Sequence, residues 1–268
     1  MQEQCSRLCA VLSRGTLDGM VEKARTARSL AREAVHASIL AAARARLTEE
    51  GPEQLSLRAV ARDVGLVSSA VYRYFPSRDD LLTALLVLDY DELGAAVEAA
   101  EAPVDRSDHV GRWVAACRAV RQWAIGHPGD FALLYGSPVP GYVAPQDTVE
   151  PASRTTHVLV RVVTDAWSGV AGSELAPDWR LGAGPAIGSR PAAPGAVADA
   201  VAYTRERGFH DDPSPEVVLR TLIAWTTVFG VLSFELFGHA VGSVTDPAAY
   251  FDEVIVRLAH DLGLAAPG

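Results

Sequence analysis

The sequence predicts an all-α protein: a small N-terminal three-helix head followed by a larger helical body. Two observations carry this. Apolar residues recur at spacings of three and four along most of the chain, as in helices that bury one stripe. Within residues 55–82, two such repeats are short and are broken by a turn. Leu57, Val60, Ala61 and Val64 form one; Val67, Ala70, Val71 and Tyr74 form the other; Gly65 lies between them. A glycine tolerates the positive φ that a helix stop needs, so the pair reads as a helix-turn-helix over about residues 56–75.

Composition bounds the rest. With 268 residues, 49% of them hydrophobic and 21% charged, the chain can bury a sizeable core. No apolar run is read as reaching the ~18–20 residues of a membrane span, and Cys9–Leu12 is too short for the apolar region of a secretory signal. The expected location is therefore cytoplasmic, with no membrane partner. Net charge is −9, but it is unevenly placed. Residues 1–80 hold 12 Lys and Arg against 10 Asp and Glu, a balance of +2, and residues 81–268 hold 12 against 23, a balance of −11. The head can approach a polyanion that the body repels. Cys5, Cys9 and Cys117 are expected to be free thiols, because the Cys5–Cys9 pair has no further ligands near it. The seven histidines are scattered, and neither an HExxH spacing, a Gly-rich phosphate loop nor a nucleophile elbow occurs. No catalytic residue, metal or cofactor is expected.

In chain order, residues 1–29 read as a disordered arm, with 1–19 a leader or a misassigned start and Lys23, Arg25 and Arg28 a basic segment. Val35, Ile39, Ala43 and Leu47 mark a first helix over about 30–50, closed by Gly51-Pro52. Ser56 is placed to cap the second helix and Ser68 the third. The third helix presents Ser68, Ser69, Tyr72 and Arg73 outward, where hydroxyls and a guanidinium can bond bases or phosphates. Pro76 ends it. Ser77 and Asp80 then form a capping-box-like pair for a long helix to about Ala100, with Leu81, Leu82, Leu85, Leu88, Leu93 and Val97 as its core side.

Further helices are expected over 108–126 and 148–170. Between them, residues 131–145 are read as a structured aromatic loop. Residues 171–195, rich in Gly and Pro, are read as a mobile loop, followed by a short helix over 196–207. The last two helices, 215–238 and about 247–262, are apolar enough to need a partner. Two copies of the pair would make an isologous four-helix interface, with Leu222, Phe229, Gly230, Phe234, Phe251, Val254, Ile255 and Leu258 as its candidates.

The run Ile39-Leu40, Gly51, Leu55-Ser56, Val60-Ala61, Gly65 and Tyr72-Arg73-Tyr74-Phe75-Pro76-Ser77-Arg78-Asp79-Asp80-Leu81 resembles the DNA-binding domain of the TetR family of bacterial transcriptional regulators. The resemblance covers roughly residues 30–90. It implies a DNA-binding domain over 30–82 and an effector-binding and dimerisation domain over 83–268. It further implies a homodimer on a palindromic operator of double-stranded DNA, repression as the default, and a small hydrophobic effector. Ser56 and Arg58 would meet backbone phosphate at a helix N-terminus. Ser68, Ser69 and Ala70 would reach base edges. Tyr72, Tyr74 and Arg78 would contact phosphate, and Arg73 stands where the family varies. The chain departs from the family pattern at Val67, where Ser or Thr is common, and at Arg78, where Lys is usual. In the body, Trp225 to Gly230 resembles a Trp-His-Gly signature of one subfamily, with Phe229 in place of the histidine. Trp113, Cys117, Trp123, Phe131, Tyr135, Tyr142, Trp167 and Trp225 are candidate walls of an effector pocket. The competing readings are a small-molecule-binding or scaffold protein without DNA binding, and a helical enzyme.

Overall fold

The computed structural model describes residues 28–168 and 193–264, and every structural statement below concerns those residues. Lys23, Arg25, Cys5, Cys9 and most of the expected 171–195 loop fall outside them. The chain divides into two compact units between Ala84 and Leu85. Helices are the regular structure throughout the described residues, with no strand among them.

The first unit contains α1 (28–50), a 3-10 turn at Pro52–Gln54, α2 (Leu57–Asp63), α3 (Ser68–Val71) and the start of α4 (Arg78–Glu101). Ile39, Ala43 and Leu47 from α1 are buried with Val60 and Ala61 of α2, Val71 of α3, Phe75, and Leu81 and Leu82 of α4. This is the stripe the spacing predicted. Arg46 of α1 bridges to Asp63 at the end of α2, at 3.0 Å, and to Glu50 at 2.8 Å.

The second unit holds the rest of α4 with α5 (His109–Gly126), α6 (Pro128–Tyr135), α7 (Val149–Ser168), α8 (Ala193–Ala196), α9 (Ala198–Glu206), α10 (Pro215–Leu236) and α11 (Pro247–Asp261). Helix α5 is central and packs on α7, α10 and α11. Its Trp113, Ala116, Cys117 and Val120 are wholly buried, as are Val162 and Val163 of α7, Leu232 of α10 and Phe251 and Ile255 of α11. The Trp113 indole N–H donates to the Ile255 carbonyl at 2.9 Å, so the polar edge of the largest core side chain is satisfied. Arg112 is buried beside it, bonded to Glu101 and 2.9 Å from Asp165. Helices α4 and α7 approach closely at Gly94, where a Cβ would stand 2.7 Å from the Arg154 Cβ. Arg154 then spans α4, donating to Asp91 at 2.8 Å and to Glu98 at 2.6 and 3.0 Å.

Three expectations need correction. The aromatic stretch after His127 is helical as far as Tyr135, not a loop from Phe131. Pro128 sits in the first turn, where its missing N–H costs nothing, so the residue that ends α5 also starts α6. The expected loop before 196 closes with α8, whose Pro194 is likewise near a helix start. Finally, α10 is by length and composition alone apolar enough to cross a membrane, with a mean hydropathy of 1.7 over its best window. Its ionic contacts are those of a helix packed in a protein core: Arg220 bonds Glu216 and the Asp261 carbonyl, and Glu235 receives two bonds from Arg121.

Candidate nucleic-acid interface and internal cavities

The turn between α2 and α3 is closed by two backbone bonds. The Gly65 N–H donates to Arg62 and the Leu66 N–H to Ala61, the paired pattern that ends a helix with a left-handed residue, and Gly65 has φ 68°. Helix α3 is a single regular turn. It is prolonged by tighter bonds from Arg73 to Ala70 and from Tyr74 to Val71, and Pro76 follows. The Ser77 hydroxyl accepts from the Asp80 N–H at 3.1 Å and donates to the Asp80 carboxylate at 2.6 Å, so the expected cap of α4 forms. The other two expected caps do not. Ser56 precedes α2 without a side-chain bond, and Ser68 is the first helical residue of α3, preceded by Val67, which cannot cap.

Ser56, Arg58, Ser69, Tyr72 and Arg73 are all exposed, and Ser68 is half-buried at the base of the same face. The Arg58 and Arg73 guanidiniums make no hydrogen bond or ion pair among the described residues. Ala70 is half-buried. Tyr74 is held from α1, with its ring 6.4 Å from His36 and under the Arg32 guanidinium at 5.7 Å. Arg78 is turned inward: it donates to the carbonyls of Pro52 at 2.8 Å, Leu55 at 3.0 Å and Glu53 at 3.1 Å. That engagement braces the loop between α1 and α2 and occupies the guanidinium expected on phosphate. Val67, assigned to the apolar stripe by spacing, is instead 71% exposed because it lies outside the helix. Its methyls are open to solvent.

The family of bacterial regulatory proteins named for tetR matches at residues 39–85, and the tetracyclin repressor-like C-terminal domain matches at residues 113–258. The chain belongs to the TetR family. It is 40% identical over 224 residues to the HTH-type transcriptional regulators Mb1846 of Mycobacterium bovis and Rv1816 of Mycobacterium tuberculosis, covering 83% of this chain and 89% of each relative. Among solved structures, SCO4313 superposes with a TM-score of 0.64 at 30% identity, over 87% of this chain and 98% of that one. A protein of unknown function from Rhodococcus sp. RHA1 superposes with a TM-score of 0.57 at 25% identity, over 86% and 95%. The protein is thus a DNA-binding transcriptional regulator and not an enzyme.

Most of the aromatic residues expected to wall a pocket in this TetR-family body form its core. Trp113, Cys117, Trp123 and Phe131 are buried in the central cluster. Burial pushes the Cys117 thiol well above its usual range, so it is an inert thiol. Tyr135 packs on Phe229 at 4.4 Å and on Phe131 at 5.2 Å, and Trp225 on Phe229 at 5.7 Å. Tyr142 is half-buried in the loop before α7. Only Trp167 of the eight lines the cavity of about 350 Å³ that opens between α7, α9, the following loop and the start of α10. Its indole donates to the Leu262 carbonyl at 3.1 Å. His210, a histidine near a loop, is one wall, but the spacing gave no sign of the others, which include Thr156, Val160, Tyr203 and Thr221. Threonines on a helix read as a polar face. Here Thr164, Thr204 and Thr221 donate to carbonyls of their own helices, which satisfies their hydroxyls within the helix.

The candidate interface set divides in the same way. Phe229, Phe251 and Ile255 are buried in their own unit, so they cannot meet a second copy, and Val254 and Leu258 are half-buried. Leu222 and Phe234 are exposed, joined by Ile223, Tyr250 and Val256. Gly230 makes no close helix approach within the chain; it borders a depression of about 480 Å³ between α10 and the start of α11.

Proposed function

We propose that this regulator is a ligand-responsive repressor of the cytoplasm, which binds a near-palindromic operator as a homodimer. Residues 30–82 serve as its DNA-binding domain and residues 83–268 as its effector-binding and dimerisation domain. Each head lays the exposed face of α3 in a major groove. Ser68, Ser69 and Val67 meet base edges, while Ser56, Arg58, Tyr72 and Arg73 meet phosphate. The observation that carries this reading is the grouping of hydroxyls and unpaired guanidiniums around the closed turn at Gly65. The second copy packs on the exposed apolar side of α10 and α11, where Phe234 is 58% exposed and Leu222 and Ile223 of the same helix are exposed as well. A small, mainly apolar effector occupies the cavity beside Trp167 and shifts the population away from the operator-competent state.

The test is a mobility-shift titration on the DNA upstream of the gene. With Arg58 and Arg73 both changed to Ala, affinity falls and the slope of log K against log salt drops by roughly 2, about 0.9 for each lost phosphate contact. Binding that keeps its affinity and slope would remove these residues from the interface. Phe234→Asp should give a monomer by light scattering, and a persistent dimer would place the interface elsewhere.

A further inference from the structure

The cavity beside Trp167 has a chemistry of its own. Its lining contains no Lys or Arg, and its one formal charge is Asp212, whose side chain stands in solvent at the mouth. Three neighbouring guanidiniums are committed: Arg207 to Glu150 at 2.9 Å, Arg205 to the Asp211 carbonyl at 3.1 Å and Arg220 to Glu216 and Asp261, while Arg161 is exposed on α7 and is not in the lining. An anion would lose its hydration and gain no cation in exchange, and a cation would find its only carboxylate out in water. The cavity's apolar lining is Val160, Ala200, Val217, Val218 and Trp167, with the partly exposed Leu222 beside them. The other polar groups of the lining are neutral: Thr156, Ser214, Tyr203 and His210 stand there beside the three bonded threonines, and the Asp212 N–H donates to His210 Nδ1 at 3.1 Å, which places the imidazole proton on Nε2 as a donor.

A second cavity of about 280 Å³ adjoins the first. Its lining, which includes Leu86, Tyr90, Ala144, Val149 and Ala152, has no charged residue at all. The two share Thr156 and Tyr203 as a common wall. Tyr203 is held in place. Its hydroxyl is 2.7 Å from His157 Nε2, and the Arg207 guanidinium lies over its ring at 5.4 Å.

We propose that this site takes an uncharged aliphatic amphiphile, an alkyl chain with one neutral oxygen head, and that Tyr203 is the partition that limits the length of the chain. The inference rests on the effector-binding reading above and adds to it the class of ligand and the residue that measures it. Without the Tyr203 ring the two spaces become one, and a longer chain can extend into the second.

Isothermal titration of the full-length protein with straight-chain 1-alkanols, from butanol to tetradecanol, tests this. Affinity should rise about fourfold per methylene, the transfer gain of one buried CH₂, up to a cut-off length and then level. In Tyr203→Ala the cut-off moves to longer chains by several methylenes. Tyr203→Leu, which keeps an apolar side chain there, gives a smaller shift in the same direction and stands in if the alanine variant does not fold. Decanoate at pH 7 should bind at least about tenfold more weakly than decanol, because its charge has no partner. An unchanged cut-off in the folded variants, equal binding of decanoate, or no binding of any alkanol overturns the proposal. A mobility shift repeated with saturating alkanol separates the two readings. Chain-length selection that responds to Tyr203 while operator affinity stays the same upholds this inference and refutes the effector role.

Discussion

Arg78 should behave as a brace and not as a phosphate contact. Its guanidinium donates three hydrogen bonds to main-chain carbonyls of the 52–55 segment, two of them part-buried and the one to Glu53 exposed. A charge-assisted bond contributes about 1.5–3 kcal/mol where it is sheltered and less where water competes. Counting the two sheltered bonds fully and the third lightly, and allowing for re-solvation of the freed carbonyls, Arg78→Ala should lower the unfolding free energy by about 2–4 kcal/mol. Arg78→Lys should recover little of it, since one ammonium cannot match the planar fork that reaches three acceptors. Urea denaturation measures the loss directly. The same variants in mobility shifts separate the roles: a brace lowers operator affinity through the folded fraction and leaves the salt slope as it was. If Arg78→Ala leaves stability within about 0.5 kcal/mol of the parent and the slope falls by about 0.9, the contact is to phosphate and the reasoning fails.

Three further outcomes follow from the body. Arg112→Ala leaves Glu101 without its buried partner and should cost about 3–5 kcal/mol in denaturant unfolding, part of which returns when Glu101→Gln is added. Gly94→Ala drives a methyl into the Arg154 Cβ at 2.7 Å and should cost about 1–3 kcal/mol, more with valine, read as a lower thermal midpoint. His157 is held below its usual range by burial and then by Arg207, so it stays neutral in the folded protein where the unfolded chain takes up a proton. The sign is therefore a stability present above pH 6.5, lost as pH falls from there toward the lowered folded value. The thermal midpoint should drop between pH 7.5 and 5.5, and drop less in His157→Gln; equal drops would remove His157 as the cause.

The sequence was most informative where structure is decided by neighbours in the chain. The ends of α4, α5 and α11 lie within a residue or two of their expected places, because Ser77 with Asp80, Asp108 and Asp246 each bond a backbone N–H two or three residues on. The head stripe was legible for the same reason, up to Val67, where spacing counted a residue that the helix does not contain. Legibility fails where a side chain reaches far. Arg78 is committed to carbonyls 23 to 26 positions earlier, and nothing in its neighbours marks them. Helix α10 is apolar around its circumference, so its pattern cannot say that Phe229 turns inward and Phe234 outward; only the packing of its neighbours, with Tyr135 of α6 against Phe229, decides that. The cavity is the extreme case. Tyr203 on α9, a wall that the two cavities share, is fixed by His157 on α7, 46 residues away, and neither sits in a motif. A pattern reader sees two ordinary polar residues there. The physical content lies in their meeting, which fixes Tyr203 between the two apolar spaces that it lines.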